Sequence, residues 1–132
     1  VPELDARENR ATTLSRHIIT GVLKEDLGFK GLIITDALNM KGLSSYFGPG
    51  VREVEAVKAG NDILLMPADV DQAISAIRKE VRQGGISEED INSSCRKILQ
   101  AKYWTGAYRR EAIQMESLLE DLNDIRDLAA AA

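Results

Sequence analysis

Apolar positions in this chain follow two patterns. Leu32-Ile33-Ile34 and Ile63-Leu64-Leu65-Met66 are short unbroken runs, whereas elsewhere apolar residues return every three or four positions. An unbroken, β-branched run suits an extended segment covered on both faces, as in a parallel sheet flanked by helices. The spaced stretches predict amphipathic helices. Leu14, Ile18, Ile19, Val22 and Leu23 mark one face of a first helix, which Thr13 or Ser15 can cap and Gly28 stops. Val51 to Ala59 reads as a second, ended by Gly60. Val70, Ile74, Ile77 and Val81 mark the buried stripe of a third, with Asp69 or Asp71 as its cap and Gly84-Gly85 as its exit. Ser87, with Asp90 three residues on, opens a fourth that carries Ile91, Cys95, Ile98, Leu99 and Lys102-Tyr103-Trp104 to Gly106.

Helix, strand, long loop, helix, strand, helix is the order of an α/β fold with right-handed crossovers and parallel neighbours. Two parallel strands alone leave both outer edges unpaired, so the chain is expected to be the end of a larger α/β domain. It does not begin with Met, which agrees with a piece of a longer protein.

Composition narrows the function. With 132 residues, 44% hydrophobic and 29% charged, the chain has ordinary globular content and enough for one modest core. Its net charge of -4 and scattered cations leave no basic footprint, so nucleic acid is not expected as a partner. The lone Cys95 is expected to be a small, half-buried helix residue, and with the single His17 it makes no metal-ligand cluster. No metal or other cofactor is expected. No apolar run approaches the ~18 residues of a membrane span.

Candidate chemistry centres on Asp36. It follows Gly31-Leu32-Ile33-Ile34-Thr35 directly, at the carboxyl end of the first predicted strand, the edge at which α/β folds place their reactive groups. A charge there needs a purpose or a partner, because burying it unpaired is costly. A helix cap, an Asx turn or an ion-pair partner are the alternatives. The long loop after it carries Tyr46 and Phe47 as candidate site walls, and Met40 follows closely enough to line a pocket. Asp62 precedes its strand and reads as a turn or cap residue; His17 reads as a boundary residue of the first helix; Trp104 beside Tyr103 reads as helix-end packing.

Several motifs in order carry a resemblance: Thr13-Leu14-Ser15-Arg16-His17, Glu25-Asp26-Leu27-Gly28-Phe29-Lys30-Gly31, Ile33-Ile34-Thr35-Asp36-Ala37-Leu38-Asn39-Met40, Ala59-Gly60-Asn61-Asp62-Ile63-Leu64-Leu65-Met66-Pro67 and Arg96-Lys97-Ile98-Leu99. Residues 1–106 resemble the later part of the catalytic domain of glycoside hydrolase family three, in particular its bacterial β-N-acetylglucosaminidases. The resemblance implies that 31–35 and 62–66 are the last two strands of a TIM-type (β/α)8 barrel, followed by C-terminal helices, and that residues 107–132 form a post-barrel tail. It places Asp36 on the family's nucleophile. It also implies that the acid/base, an Asp-His pair within a Lys-His-Phe-Pro-Gly-His-Gly-like motif, lies outside this chain.

The implied parent is a retaining enzyme that removes terminal β-linked N-acetylglucosamine from cell-wall or chitin-derived fragments. Its partners would be the carbohydrate substrate and the remainder of the barrel, with a periplasmic or secreted bacterial location favoured. Ala37 is small where many β-glucosidases of the family carry Trp, which tilts the choice away from a β-glucosidase. Two other classes stay open: a phospho-acceptor signalling domain, against which stands the position of Asp62 before its strand, and a non-catalytic interaction module made from a decayed barrel.

Overall fold

The computed structural model of the chain describes residues 11–40, 47–48 and 50–109. Its residues divide into two compact units, 1–101 and 102–132. In the first, a 3-10 turn at Thr12–Leu14 leads into helix α1 (His17–Asp26), followed by α2 (Val51–Ala59), α3 (Val70–Arg82) and α4 (Glu88–Trp104), the last of which runs on into the second unit.

Helix α1 is wound as a π-helix, a form usually confined to single turns. Its C-terminal bonds reach further back than in an α-helix, from Leu27 N–H to Val22 O (2.9 Å) and from Phe29 N–H to Leu23 O (3.0 Å). Of the two candidate caps, Ser15 is the one that binds into the helix, its Oγ accepting from Ile18 N–H at 3.3 Å. At α3, Asp69 rather than Asp71 is the cap, accepting from Gln72 N–H at 2.9 Å. At α4, Ser87 Oγ accepts from Asp90 N–H at 3.0 Å.

The two apolar runs lie side by side and parallel, joined by a bridge between Ile34 and Ile63. Thr35 N–H donates to Ile63 O (3.0 Å), Ile63 N–H to Ile33 O (3.1 Å), and Leu38 N–H to Leu65 O (2.9 Å). The pairing is a ladder of one bridge, narrower than the predicted strands. Ile33 and Thr35 are buried but Ile34 is 55% exposed, as are Leu65 (43%) and Met66 (60%). The expectation of burial on both faces holds for one face only.

That buried face carries two apolar clusters. Leu14, Leu38 and Ala56 form the first, with Ala11, Phe47 and Leu64 against them. Ile19, Ile33 and Ala59 form the second, with Leu23 alongside. Phe47, expected to be a site wall, is therefore a packing residue, and Tyr46 lies outside the described residues. The stripe predicted on α3 is displaced: Val70 and Ile74 are exposed and the buried residue is Ala73. The reason is close approach, since small side chains face α2 there and a Cβ at Gly50 would lie 3.1 Å from that of Ala76. Cys95 is exposed, not half-buried.

Gly60 ends α2 at φ 106°, a conformation open to glycine and strained for other residues. A Cβ there would lie 2.7 Å from Thr20 Oγ1, whose hydroxyl donates to Ala59 O at 2.8 Å and so holds α1 against the end of α2.

Within the second unit the described residues are Lys102–Arg109. Gly106, at φ 73°, turns the chain at the end of α4, and Ala107 N–H caps Lys102 O at 2.9 Å. The Tyr103 ring stacks on that of Tyr108 with centroids 5.1 Å apart. Trp104 is 86% exposed, so it is not the helix-end packing residue that the sequence suggested.

Candidate active site

Asp36 stands where the paired segments end. Its backbone is held from both sides, by Thr35 N–H to Ile63 O just before it and Leu38 N–H to Leu65 O just after it. The buried Thr35 adds a further tie, its Oγ1 accepting from Leu65 N–H at 2.9 Å. The carboxylate itself is exposed, with Oδ1 accepting from Ala37 N–H at 2.8 Å. A carboxylate anchored through its backbone and free at its head is suited to attack an external electrophile. Met40, the second sequence candidate, is half-exposed, four residues beyond Asp36. Met66, at the matching end of the other segment, adopts φ 46°, an uncommon conformation for a residue with a side chain, and it marks this edge as backbone under local constraint. His17 is exposed on α1 and lines a shallow cleft with Arg16, Thr20, Gly21 and Glu25, apart from Asp36.

Among the described residues, a dense polar network lies at the other end of the same segments, around Asp62. Its side chain is only 2% exposed. Oδ2 accepts from Ile33 N–H (3.0 Å) and Lys97 Nζ (3.1 Å), and Oδ1 from Ser94 Oγ (2.7 Å) and Lys97 Nζ (3.4 Å). Burial works to raise the Asp62 carboxyl, but the bonds from Ser94, Ile33 N–H and Lys97, with the charge of Lys97, outweigh it and hold the group below the usual carboxylate range. Lys97 Nζ also reaches Gly31 O at 3.3 Å. These polar bonds fasten α4 to the segment that carries Asp36. The turn or cap reading of Asp62 thus understates it: it is a tie between three elements.

A second charged pair escaped the sequence reading. Arg52 and Glu53, at the start of α2, are 2% and 0% exposed. Glu53 Oε1 accepts from Arg52 Nε at 3.1 Å and Oε2 accepts from Gly50 N–H at 2.7 Å, so the acid caps the helix that follows the long loop. Arg52 Nη1 is buried without a hydrogen-bond partner among the described residues. Adjacent opposite charges ordinarily signal a solvated face. The available signal was Glu53 standing three residues after Gly50, at the position from which a carboxylate reaches back to an N-cap. Among the described residues no group of three or more His, Cys, Asp or Glu side chains converges as a metal site, and no helix is long and apolar enough to cross a membrane.

Parallel segments joined through a helical crossover, with an exposed carboxylate at their carboxyl edge, define an α/β unit. Residues 1–101 match the glycosyl hydrolase family 3 N terminal domain, and the chain belongs to that family. It is 33% identical over 102 residues to β-hexosaminidase A of Pseudoalteromonas piscicida, covering 70% of this chain and 17% of that protein. It is 26% identical over 108 residues to a β-N-acetylglucosaminidase/β-glucosidase of Cellulomonas fimi, covering 82% of this chain and 19% of that protein. Among solved structures, the family 3 β-N-acetylglucosaminidase of Paenibacillus sp. str. FPU-7 superposes with a TM-score of 0.80 at 32% identity, over 86% of this chain and 22% of that one. The chain therefore spans about a fifth of the length of these relatives. They support a glycosyl hydrolase as the parent.

Proposed function

We propose that these residues form the last two β/α units of a family 3 catalytic barrel, with residues 1–106 its C-terminal portion and 107–132 a post-barrel segment. The parent removes terminal β-linked N-acetylglucosamine with retention of configuration. Asp36 is the nucleophile: its ionised carboxylate attacks the anomeric carbon as the glycosidic oxygen departs, giving a glycosyl ester that water then hydrolyses. Departure of that oxygen requires a proton, and the group that delivers it belongs to the part of the barrel outside this chain. The 132-residue chain alone is accordingly inactive. Met40 forms part of the pocket wall.

The observation that carries this reading is the position of Asp36, backbone-tied on both sides and exposed at the carboxyl edge of the pairing. The exposed strip of Ile34, Leu65 and Met66 supports the remainder of the barrel as the chain's partner. A β-glucosidase is the second reading, favoured by the dual name of the Cellulomonas fimi relative. Exposing the full-length parent to an aryl 2-deoxy-2-fluoro-β-glycoside, followed by peptide mapping, tests the assignment. A glycosyl adduct on Asp36 is expected, and Asp36→Ala should lower kcat/KM by about four orders of magnitude. Turnover with an adduct elsewhere, or an active Asp36→Ala enzyme, would overturn it. Comparing kcat/KM for the aryl N-acetylglucosaminide and the aryl glucoside decides between the two sugars.

A further inference from the structure

A cavity of about 270 Å³ opens at the amino end of the paired segments, between α1, the end of α2 and the start of α4. Asp36 lies three residues beyond Ile33, ~10 Å along an extended chain, so this cavity is remote from the proposed nucleophile.

Four cations line it: Arg16, Lys24, Lys58 and Lys97. Two are already neutralised, Lys97 by Asp62 at 3.1 Å and Lys58 by Glu80 at 2.6 Å. Arg16 and Lys24 have no carboxylate partner among the described residues. Lys24 is held below the ordinary lysine range, by burial first and by repulsion from Lys97 and Arg16, against the opposing pull of Asp62 and Asp90. Its ammonium rests against Gly60, where a Cβ would lie 2.9 Å from Nζ, so the missing side chain leaves room for that head group at the cavity rim. Ser93 adds a hydroxyl that has no partner among the described residues.

Two cations without a direct ion pair, in a cavity that a free hydroxyl also lines, match a doubly charged tetrahedral oxyanion, whose oxygens accept from several directions at once. The volume falls just below the ~300–1,000 Å³ of typical ligand sites, which suits a small anion. We propose that this cavity is a binding site for a phosphate group, free or carried as a small phosphate monoester, held by Arg16, Lys24 and Ser93. The site is separate from the glycosidase reading and stands or falls independently of it. Asp90, which also lines the cavity and attracts Lys24, limits the affinity.

Amide chemical shifts of the 132-residue chain, followed at low ionic strength during titration with inorganic phosphate and, separately, glucose 6-phosphate, test this. Saturable shifts centred on Lys24, Gly60 and Ser93, with a Kd in the ~millimolar range, are expected. Lys24→Ala and Arg16→Ala should each weaken binding ~10-fold, Asp90→Asn should tighten it several-fold, and Lys79→Ala, on the exposed face of α3, should leave it unchanged. Tighter binding of the ester than of inorganic phosphate assigns the site to a phosphorylated metabolite, and the reverse assigns it to free phosphate. Non-saturating shifts, or wild-type affinity in both Lys24→Ala and Lys24→Met, would overturn the proposal. The Met variant keeps the aliphatic stem if the Ala variant fails to fold.

Discussion

Replacing Asp62 by Asn keeps the size of the side chain and removes the charge on which the polar network converges. The wild-type carboxylate takes bonds from Ile33 N–H, Ser94 Oγ and Lys97 Nζ. An amide has one accepting oxygen, so one cluster of donors loses its acceptor and faces an N–H group instead. Hydrogen bonds to a charged group contribute about 1.5–3 kcal/mol each. Lys97 is 26% exposed, and water recovers part of what it loses. The expected destabilisation is therefore about 2–3 kcal/mol, or a fall in Tm of roughly 8–15 °C for a unit of this size. Urea unfolding followed by circular dichroism at a series of pH values is the assay.

The sign of the pH effect follows from the depressed Asp62 carboxyl. Its contribution is fully present above the unfolded-state value of about 3.9 and is lost as pH falls through the lower folded-state value. The stability gap between wild type and Asp62→Asn should thus be flat from neutrality to about pH 5 and close below pH 4. A gap under ~0.5 kcal/mol at pH 7, or one that persists unchanged in acid, would refute the assignment of Asp62 as the tie to α4.

Arg52→Ala should cost about 3–5 kcal/mol in urea unfolding, because it strands the fully buried Glu53, whereas Arg52→Met with Glu53→Gln should cost clearly less than the two single changes added together. Gly60→Ala should destabilise by at least ~2 kcal/mol, from the left-handed backbone at φ 106° and the collision with Thr20 Oγ1, while Gly48→Ala, whose added Cβ meets nothing within 4 Å, should be nearly neutral in the same measurement.

Much of this architecture was legible in the sequence where local chemistry decides it. Gly60 and Gly106 end helices because their conformations suit only glycine well, and Asp69 and Ser87 start them because a short acceptor meets free N–H groups there. Asp36 stood out because it ends an apolar run. What local pattern could not supply was the neighbour. Nothing near Asp62 in the chain announces Ser94 and Lys97, which lie more than thirty residues on, and so a three-element tie looked like a turn residue. The displaced stripe of α3 has the same origin, since periodicity gives an apolar face but the small residues Ala73 and Ala76 determine which side can approach α2. Arg52 and Glu53 were missed for the opposite reason, as two neighbouring charges that satisfy one another can be buried where a single one cannot, and only the spacing of Glu53 from Gly50 signalled it.

The bridge between Ile34 and Ile63 has a kinetic consequence. Parallel pairing cannot close through a tight turn, so the intervening chain must be laid back across the segments before any cross-pair bond can form. Helix α2, at nine residues, is too short to persist alone in water and gives that return path no stable scaffold in advance. Helix, cap and pairing must consequently assemble together, with the loop-closure entropy spent before the contacts repay it. Refolding of this chain should be limited by that concerted step, and substitutions at Glu53 or Ala56 should slow folding rather than only hasten unfolding.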